Sequence, residues 1–270
     1  MNVNSPYQGA FLLILAAAGL LVLAAATGRG DITTATLVLA GAGCFFAGVF
    51  LLTLHKGEPL DPGLAALLPV QGTVTTATLC ADLGVQGDAW FVPEANGTIV
   101  EVIPVADTLP ATTGDDYSFI TTEGGCAVRI VPACTPLLAT LKKKHALEVP
   151  AEDEALLACI SEVCDDLLEV AEKTQAAWDG ENIIVTLRGY RLLPGCREVR
   201  AASPKCCTMV GCPICSLLAA VAALGTGAPT RIEHVAVDEK RGVLRVILRS
   251  AGPGPRDEGP DNSPRSGSLP

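Results

Sequence analysis

Two uncharged apolar runs dominate the start of the chain. Ala10 to Ala26 consists mainly of Leu and Ala, and Ile32 to Leu54 again carries no Asp, Glu, Lys or Arg. A helix needs about 20 apolar residues to cross a bilayer, and an isolated span can satisfy its backbone in lipid only as a helix. The pattern predicts two transmembrane helices, over about 10–27 and 32–54, joined by the polar turn Thr27-Gly28-Arg29-Gly30-Asp31. Residues 1–56 thus read as a membrane hairpin. The segment before the first run lacks Lys and Arg, and a second run follows at once, which favours a hairpin over a cleaved signal peptide. Ala40, Gly41, Gly43, Ala47 and Gly48 would let the two helices approach closely. With no Asp, Glu, Lys or Arg in either run, ion or proton transport has no visible basis.

After the second run the pattern changes to short alternating and helical segments. Residues 57–69 read as a linker with three prolines, in which Leu64, Leu67 and Leu68 could lie along the membrane surface. Val70–Leu83 suits a short helix ending near Gly84. Ala89–Val92 and Thr98–Pro104 read as strands around the Asn96-Gly97 turn. Asp107–Gly125 is polar and reads as a loop, Ala127–Val131 as a strand. Thr135-Pro136 offers a helix start with a capping hydroxyl and an early proline. From Glu152 to about Trp178, Leu156, Leu157, Ile160, Val163, Leu167, Leu168 and Ala171 recur at helical spacing behind an acidic first turn. Asn182–Leu187 reads as a strand and Gly189–Gly211 as a long connection. An Ala/Leu-rich helix follows over Pro213–Leu224, ending at Gly225. Thr230–Val237 and Val243–Leu248 form a hairpin. The fold class expected is an α+β soluble domain over 70–249, preceded by the transmembrane α-helical hairpin. Residues 250–270 lack an apolar pattern and are expected to be disordered.

Composition sharpens this picture. Hydrophobic residues make up 49% of the 270 positions, and the mean hydropathy of +0.41 fits a chain partly in lipid. The net charge of −10 excludes a nucleic-acid partner, since phosphate binding requires clustered Lys and Arg. The one basic run, Lys142-Lys143-Lys144, reads as a solvated helix end. Eleven cysteines, many in apolar contexts, point to reduced thiols and hence to a cytoplasmic domain. Arg29, His55 and Lys56 nearly balance the positive-inside count, and Asn96-Gly97-Thr98 is a glycosylation acceptor that would argue for the other side.

The candidate chemistry lies in Cys206, Cys207, Cys212 and Cys215. The spacing Cys207-x4-Cys212-x2-Cys215 matches the first part of a plant-type ferredoxin pattern, and Cys212-x-x-Cys215 could grip zinc. The pair also flanks a helix start, where amides lower a thiol pKa. Three readings stay open: core packing, a zinc or iron–sulfur site, or thiol–disulfide chemistry. No other catalytic set emerges. His55, His145 and His234 are scattered, Gly225-x-Gly227 follows a helix and reads as a cap, and Asp115-Asp116 and Asp165-Asp166 read as solvated pairs.

Trp90-Phe91-Val92-Pro93, Val131-Pro132-Ala133-Cys134-Thr135-Pro136-Leu137-Leu138, Pro213-Ile214-Cys215-Ser216-Leu217 and Gly227-Ala228-Pro229-Thr230-Arg231-Ile232-Glu233 together resemble a group of archaeal membrane proteins. These have an N-terminal two-helix hairpin and one α+β domain of unknown function. The resemblance covers most of Leu12 to Arg249 and implies no site residues. The late helix preceded by a cysteine and followed by a hairpin also resembles small-ligand-binding domains of the vinyl-reductase type, without their pair of cysteines in the final strands. The expectation is a protein of the cell membrane whose partners are the bilayer and a protein or small ligand. No cofactor is required, and no enzymatic activity is indicated. The alternative is a thiol-redox or metal protein acting through the four cysteines.

Overall fold

The computed structural model describes residues 6–27, 32–54, 60–106, 108–110, 118–122 and 124–252. Two compact units divide the chain, Met1–Leu60 and Asp61–Pro270.

The first unit contains α1 (Pro6–Thr27) and α2 (Ile32–Leu54), packed along one another. Ala10, Ala17 and Ala24, seven residues apart, are buried in the seam. Opposite them lie Gly41 and Gly48, also seven apart. A Cβ on Gly48 would stand 2.9 Å from Ile14 Cγ1 and 3.1 Å from the Ala10 carbonyl oxygen. Only these two members of the small-residue stripe face the seam, whereas Ala40, Gly43 and Ala47 are exposed. The physical reason is the heptad interval, which returns 41 and 48 to one helix face. Phe11, Leu12, Leu39 and Phe50 point outward. The polar turn at 28–31 and His55, Lys56 and 57–59 lie outside the described residues.

Three stretches are long and apolar enough to cross a membrane: Gly9–Thr27, Ile32–Thr53 and Pro62–Asp82. The third comprises two helices of the second unit, α3 (Pro62–Leu67) and α4 (Val70–Asp82). Asp61 caps α3, its carboxylate accepting from the amides of Gly63 and Leu64 at 2.7 and 3.2 Å. The segment read as linker is therefore helical from Pro62. Ala66, Thr73, Ala77 and Cys80 are buried on the inward side.

Next come β1 (Trp90–Pro93), β2 (Ile99–Pro104), β3 (Phe119–Thr122), β4 (Gly125–Ile130), α5 (Thr135–Lys144) and α6 (Asp153–Glu162). A π-helical turn, Val163–Leu167, follows α6. The chain continues through β5 (Lys173–Asp179), β6 (Asn182–Arg188), α7 (Leu193–Ala202), α8 (Cys206–Met209), α9 (Pro213–Thr226), β7 (Thr230–Asp238) and β8 (Val243–Ser250). The strands form one sheet in the order β3-β4-β2-β1-β7-β8-β6-β5. Every neighbouring pair is antiparallel. The α+β expectation holds.

The sheet has two halves. β6 pairs along its length with both β5 and β8, whereas β1 meets β7 only through Trp90↔Arg231 and Phe91↔Thr230. The Arg231 guanidinium lies 5.2 Å from the Trp90 ring centroid at this joint and reinforces it by cation–π attraction. Helix α9 contacts β1, β7 and β8, with Leu217, Leu218, Ala219, Ala220, Ala222 and Ala223 buried. A helix apolar on nearly all sides must lie inside the core. It ends in the left-handed Gly227 (φ +65°), not at Gly225, which is still helical.

Four further segments differ from the sequence reading. The helix expected to run from Glu152 to Trp178 ends at the π turn, because Lys173–Asp179 pairs with the whole of β6. Asp165 helps to secure that exit: its carboxylate accepts from the Thr174 amide at 2.9 Å and the Thr174 hydroxyl at 2.5 Å, so it is not a merely solvated acid. Within Asp107–Gly125, read as loop, Phe119–Thr122 is a strand because it pairs with β4; residues 107, 111–117 and 123, with Asp115 and Asp116, lie outside the described part. Gly189–Gly211 contains α7 and α8 rather than an irregular connection. At α5 the cap residue is Cys134 without a side-chain bond, so Thr135 does not supply the capping hydroxyl. The tail from 253 lies outside the described residues, while Ser250 still belongs to β8.

Glu101 is the exception within the core. It is fully buried on β2, opposite Phe91, and neither carboxylate oxygen has a hydrogen-bond partner. Burial raises its pKa well above 4.5, so the folded state holds the proton more tightly than the unfolded chain. This acid therefore lowers stability as pH rises from its unfolded value through its raised folded value. Glu101→Gln should remove that slope. In denaturation followed by Trp90 and Trp178 fluorescence, the variant should gain about 1–3 kcal/mol on the parent between about pH 5 and pH 8. Parallel curves for the two proteins would refute this.

Candidate functional site

An apolar cavity of about 390 Å³ lies inside the second unit, between α3, α4, α7 and the start of α9. Ala65, Ala66, Pro69, Val70 and Thr73 form one wall; Leu192, Gly195, Cys196 and Val199 form another; Cys212, Pro213 and Ile214 close the end, with Leu137 and Tyr190 completing the lining. Gly195 sets the approach of α3 to α7. A Cβ there would stand 2.2 Å from the Ala66 carbonyl oxygen, so only glycine fits beneath that backbone. A larger groove of about 540 Å³, between residues 145–150 and α6, has more polar lining and includes only Cys159 among the thiols.

The chain reaches the cavity's chemistry through local turns. Gly211 takes a left-handed conformation (φ +78°). Cys212 then occupies the cap position of α9 in extended conformation, and Pro213 is the first helical residue. Proline suits that position because its missing N–H has no helical acceptor there. The Cys212 side chain consequently sits at the mouth of the helix without a capping hydrogen bond, where the nearby amides of Cys215 and Ile214 favour its thiolate. Cys215 is one turn along and buried. Cys196 approaches from α7, and the buried Tyr190 beside it favours its thiolate.

These neighbours divide the thiols sharply. Hydrogen bonds from Cys196 and then Cys215 hold Cys212 well below the ordinary thiol range, assisted by the helix amides and against the effect of burial. The same contacts push Cys196 and Cys215 up, because each is held as the proton donor to Cys212, and burial adds to this. Cys207 is pushed up to about 12, by burial first and then by the charge at Cys212. Burial also raises Cys206, which interacts with Ser203.

Of the four cysteines singled out by sequence, Cys212 and Cys215 therefore act on one another, with Cys207 close by, while Cys206 stands at the edge of the group. Among the described residues no group of three or more His, Cys, Asp or Glu is arranged to hold a metal ion. Cys196 and Tyr190 were not anticipated. A signal was there: α7 is strongly amphipathic, with Cys196 and Val199 on its buried side and Pro194 near its start, but the segment is short and low in apolar residues and so read as a connection. His145 lines the larger groove, and His234 is exposed on β7. All eleven cysteines are free thiols.

An apolar N-terminal helix pair followed by a mixed α+β unit with a thiol-bearing apolar cavity defines the class of protein. The chain belongs to the family described as Domain of unknown function (DUF7982), whose model matches residues 6–249. No curated protein and no solved structure matches it.

The thiol ordering has a direct chemical consequence. At about pH 7 iodoacetamide should modify Cys212 at least about tenfold faster than Cys134, Cys164 or Cys207, since the thiolate is the nucleophile. Burial pushes those three up to about 11, 12 and 12 respectively. Peptide mass spectrometry over a time course reads the order, and earlier modification of Cys207 would contradict it.

Proposed function

We propose that the protein is a two-span membrane protein whose α+β unit, on the cytoplasmic side, binds a small apolar ligand without transforming it. The observation that carries this reading is the cavity between α3, α4, α7 and α9: its walls are mostly aliphatic, with one tyrosine, one threonine and two thiols as polar features. Ligand sites are commonly concave and mostly apolar, with few polar groups fixing orientation. The length and composition of α1 and α2 support membrane insertion. The free state of all eleven thiols supports a reducing compartment.

Native mass spectrometry of the full chain, released from membranes in mild detergent, tests the proposal. The expected result is one small-molecule adduct per chain. Val70→Trp, which fills the cavity from its α4 wall, should reduce its occupancy tenfold or more, a loss of about 1.4 kcal/mol or greater. Equal occupancy in the two proteins, or no adduct in either, would reject the reading.

A second reading makes Cys206, Cys207, Cys212 and Cys215 a zinc or iron–sulfur site. It draws on the mutual influence of Cys207, Cys212 and Cys215. Anaerobic purification of the full chain and metal analysis decide it. Stoichiometric metal lost in Cys207→Ser supports that site, and metal-free protein with reactive thiols overturns it.

A further inference from the structure

Three sulfurs meet where α9 begins. Cys212 caps α9, and Cys196, on a different helix, and Cys215, one turn along its own, lie close enough to act on its thiol. Cys196 and Cys212 both form part of the cavity wall, whereas Cys215 does not and is only 2% exposed. A molecule entering the cavity thus meets two thiols supplied by separate elements, one half-buried at a helix mouth and one resting against Tyr190.

We propose that Cys212 is a thiol–disulfide exchange site for a small disulfide admitted to the cavity, with Cys196 as the thiol that resolves the intermediate. In the first step the Cys212 thiolate attacks one sulfur of R–S–S–R. A Cys212–S–S–R bond forms, the original S–S bond breaks, and one RS⁻ leaves. That thiolate takes up the proton Cys212 had released to solvent. In the second step Cys196 attacks the Cys212 sulfur. The Cys196–Cys212 bond forms, the second RS⁻ leaves, and the proton from Cys196 passes to it. Two protein thiols are oxidised and one small disulfide is reduced to two thiols, so electrons and protons balance. Reversal requires only a small thiol.

The contacts order these steps. While Cys212 is a thiolate, its nearness favours the protonated form of Cys196. Once Cys212 is capped, its charge is gone. The Tyr190 hydroxyl, which favours the Cys196 thiolate, then remains to assist the second attack. A thiol becomes a competent nucleophile as its thiolate fraction rises. The exchange goes beyond the apolar-ligand reading: it uses the same cavity for access but does not require a resident ligand. The adduct measurement and the thiol measurement fail separately.

The test uses the full chain in detergent micelles, reduced and freed of reductant, with one equivalent of 4,4′-dithiodipyridine. Thiopyridone release is followed by absorbance, and remaining thiols are then alkylated for peptide mapping. The wild-type chain should release about two thiopyridones per reagent and yield a peptide linked through Cys196 and Cys212. Cys196→Ser should release about one rapidly and retain a mixed disulfide on Cys212. Cys126→Ser, on β4 and outside the cavity lining, should keep both releases and the Cys196–Cys212 link. The wild-type map needs no variant, so a misfolded substitution does not remove the test. A Cys212–Cys215 link with Cys196 alkylated, or first modification elsewhere than Cys212, would overturn the proposal.

Discussion

The second unit depends on the burial of α9 across a weak joint in its sheet. Two residue pairs connect β1 to β7, far fewer than connect β6 to its neighbours. Backbone pairing alone would leave the two halves loosely joined. Helix α9 contacts β1, β7 and β8 from one side and carries the buried Leu217, Leu218, Ala219 and Ala220 into the join. Burying such side chains contributes about 25 cal/mol per Å² of apolar surface. Ser216 extends the tie to α5, its hydroxyl facing the Cys134 amide at 3.4 Å.

The same helix positions the candidate chemistry. Its first residues are Pro213, Ile214 and Cys215, with Cys212 at the cap. The sulfur cluster is therefore built on the element that unites the sheet, not on a peripheral loop. Rigid elements hold functional groups more closely than loops do. The exposed part of the site comes from elsewhere, from α3, α4 and α7, whose sequences are less strongly apolar. Core stability and cavity shape are consequently assigned to different parts of the chain, although they meet at Cys212.

Legibility in the sequence followed the strength of local signals. The uncharged runs gave α1 and α2, Asn96-Gly97 gave the β1–β2 hairpin, and Cys212-Pro213 marked the start of α9. Lys173–Asp179 was misread because Ala176 and Ala177 favour a helix locally, whereas pairing with β6 fixes an extended chain; distant pairing overrides weak propensity. Phe119–Thr122 depends in the same way on β4. The candidate site was half legible. Cys212-x-x-Cys215 is a local pattern, but Cys196 lies sixteen positions before Cys212, on a short amphipathic helix whose low apolar content hid it. Only the tertiary fold brings the two to one cavity. Glu101 was illegible for another reason: within Ile99–Pro104 its charge suggests a solvent-facing position, yet the strand places it beside Ile99 and Ile103 on the core side.

The contact between Gly195 and Ala66 bears on how the cavity can change shape. The roof there rests backbone against α7, with no side chain between them to rotate aside. A bulkier guest cannot gain room by a rotamer change at this point, and α3 has to move as a body, together with the Asp61 cap that begins it. Selectivity for guest size would then be stepwise: molecules below a threshold are accommodated without rearrangement, and those above it must displace a whole turn of helix at once.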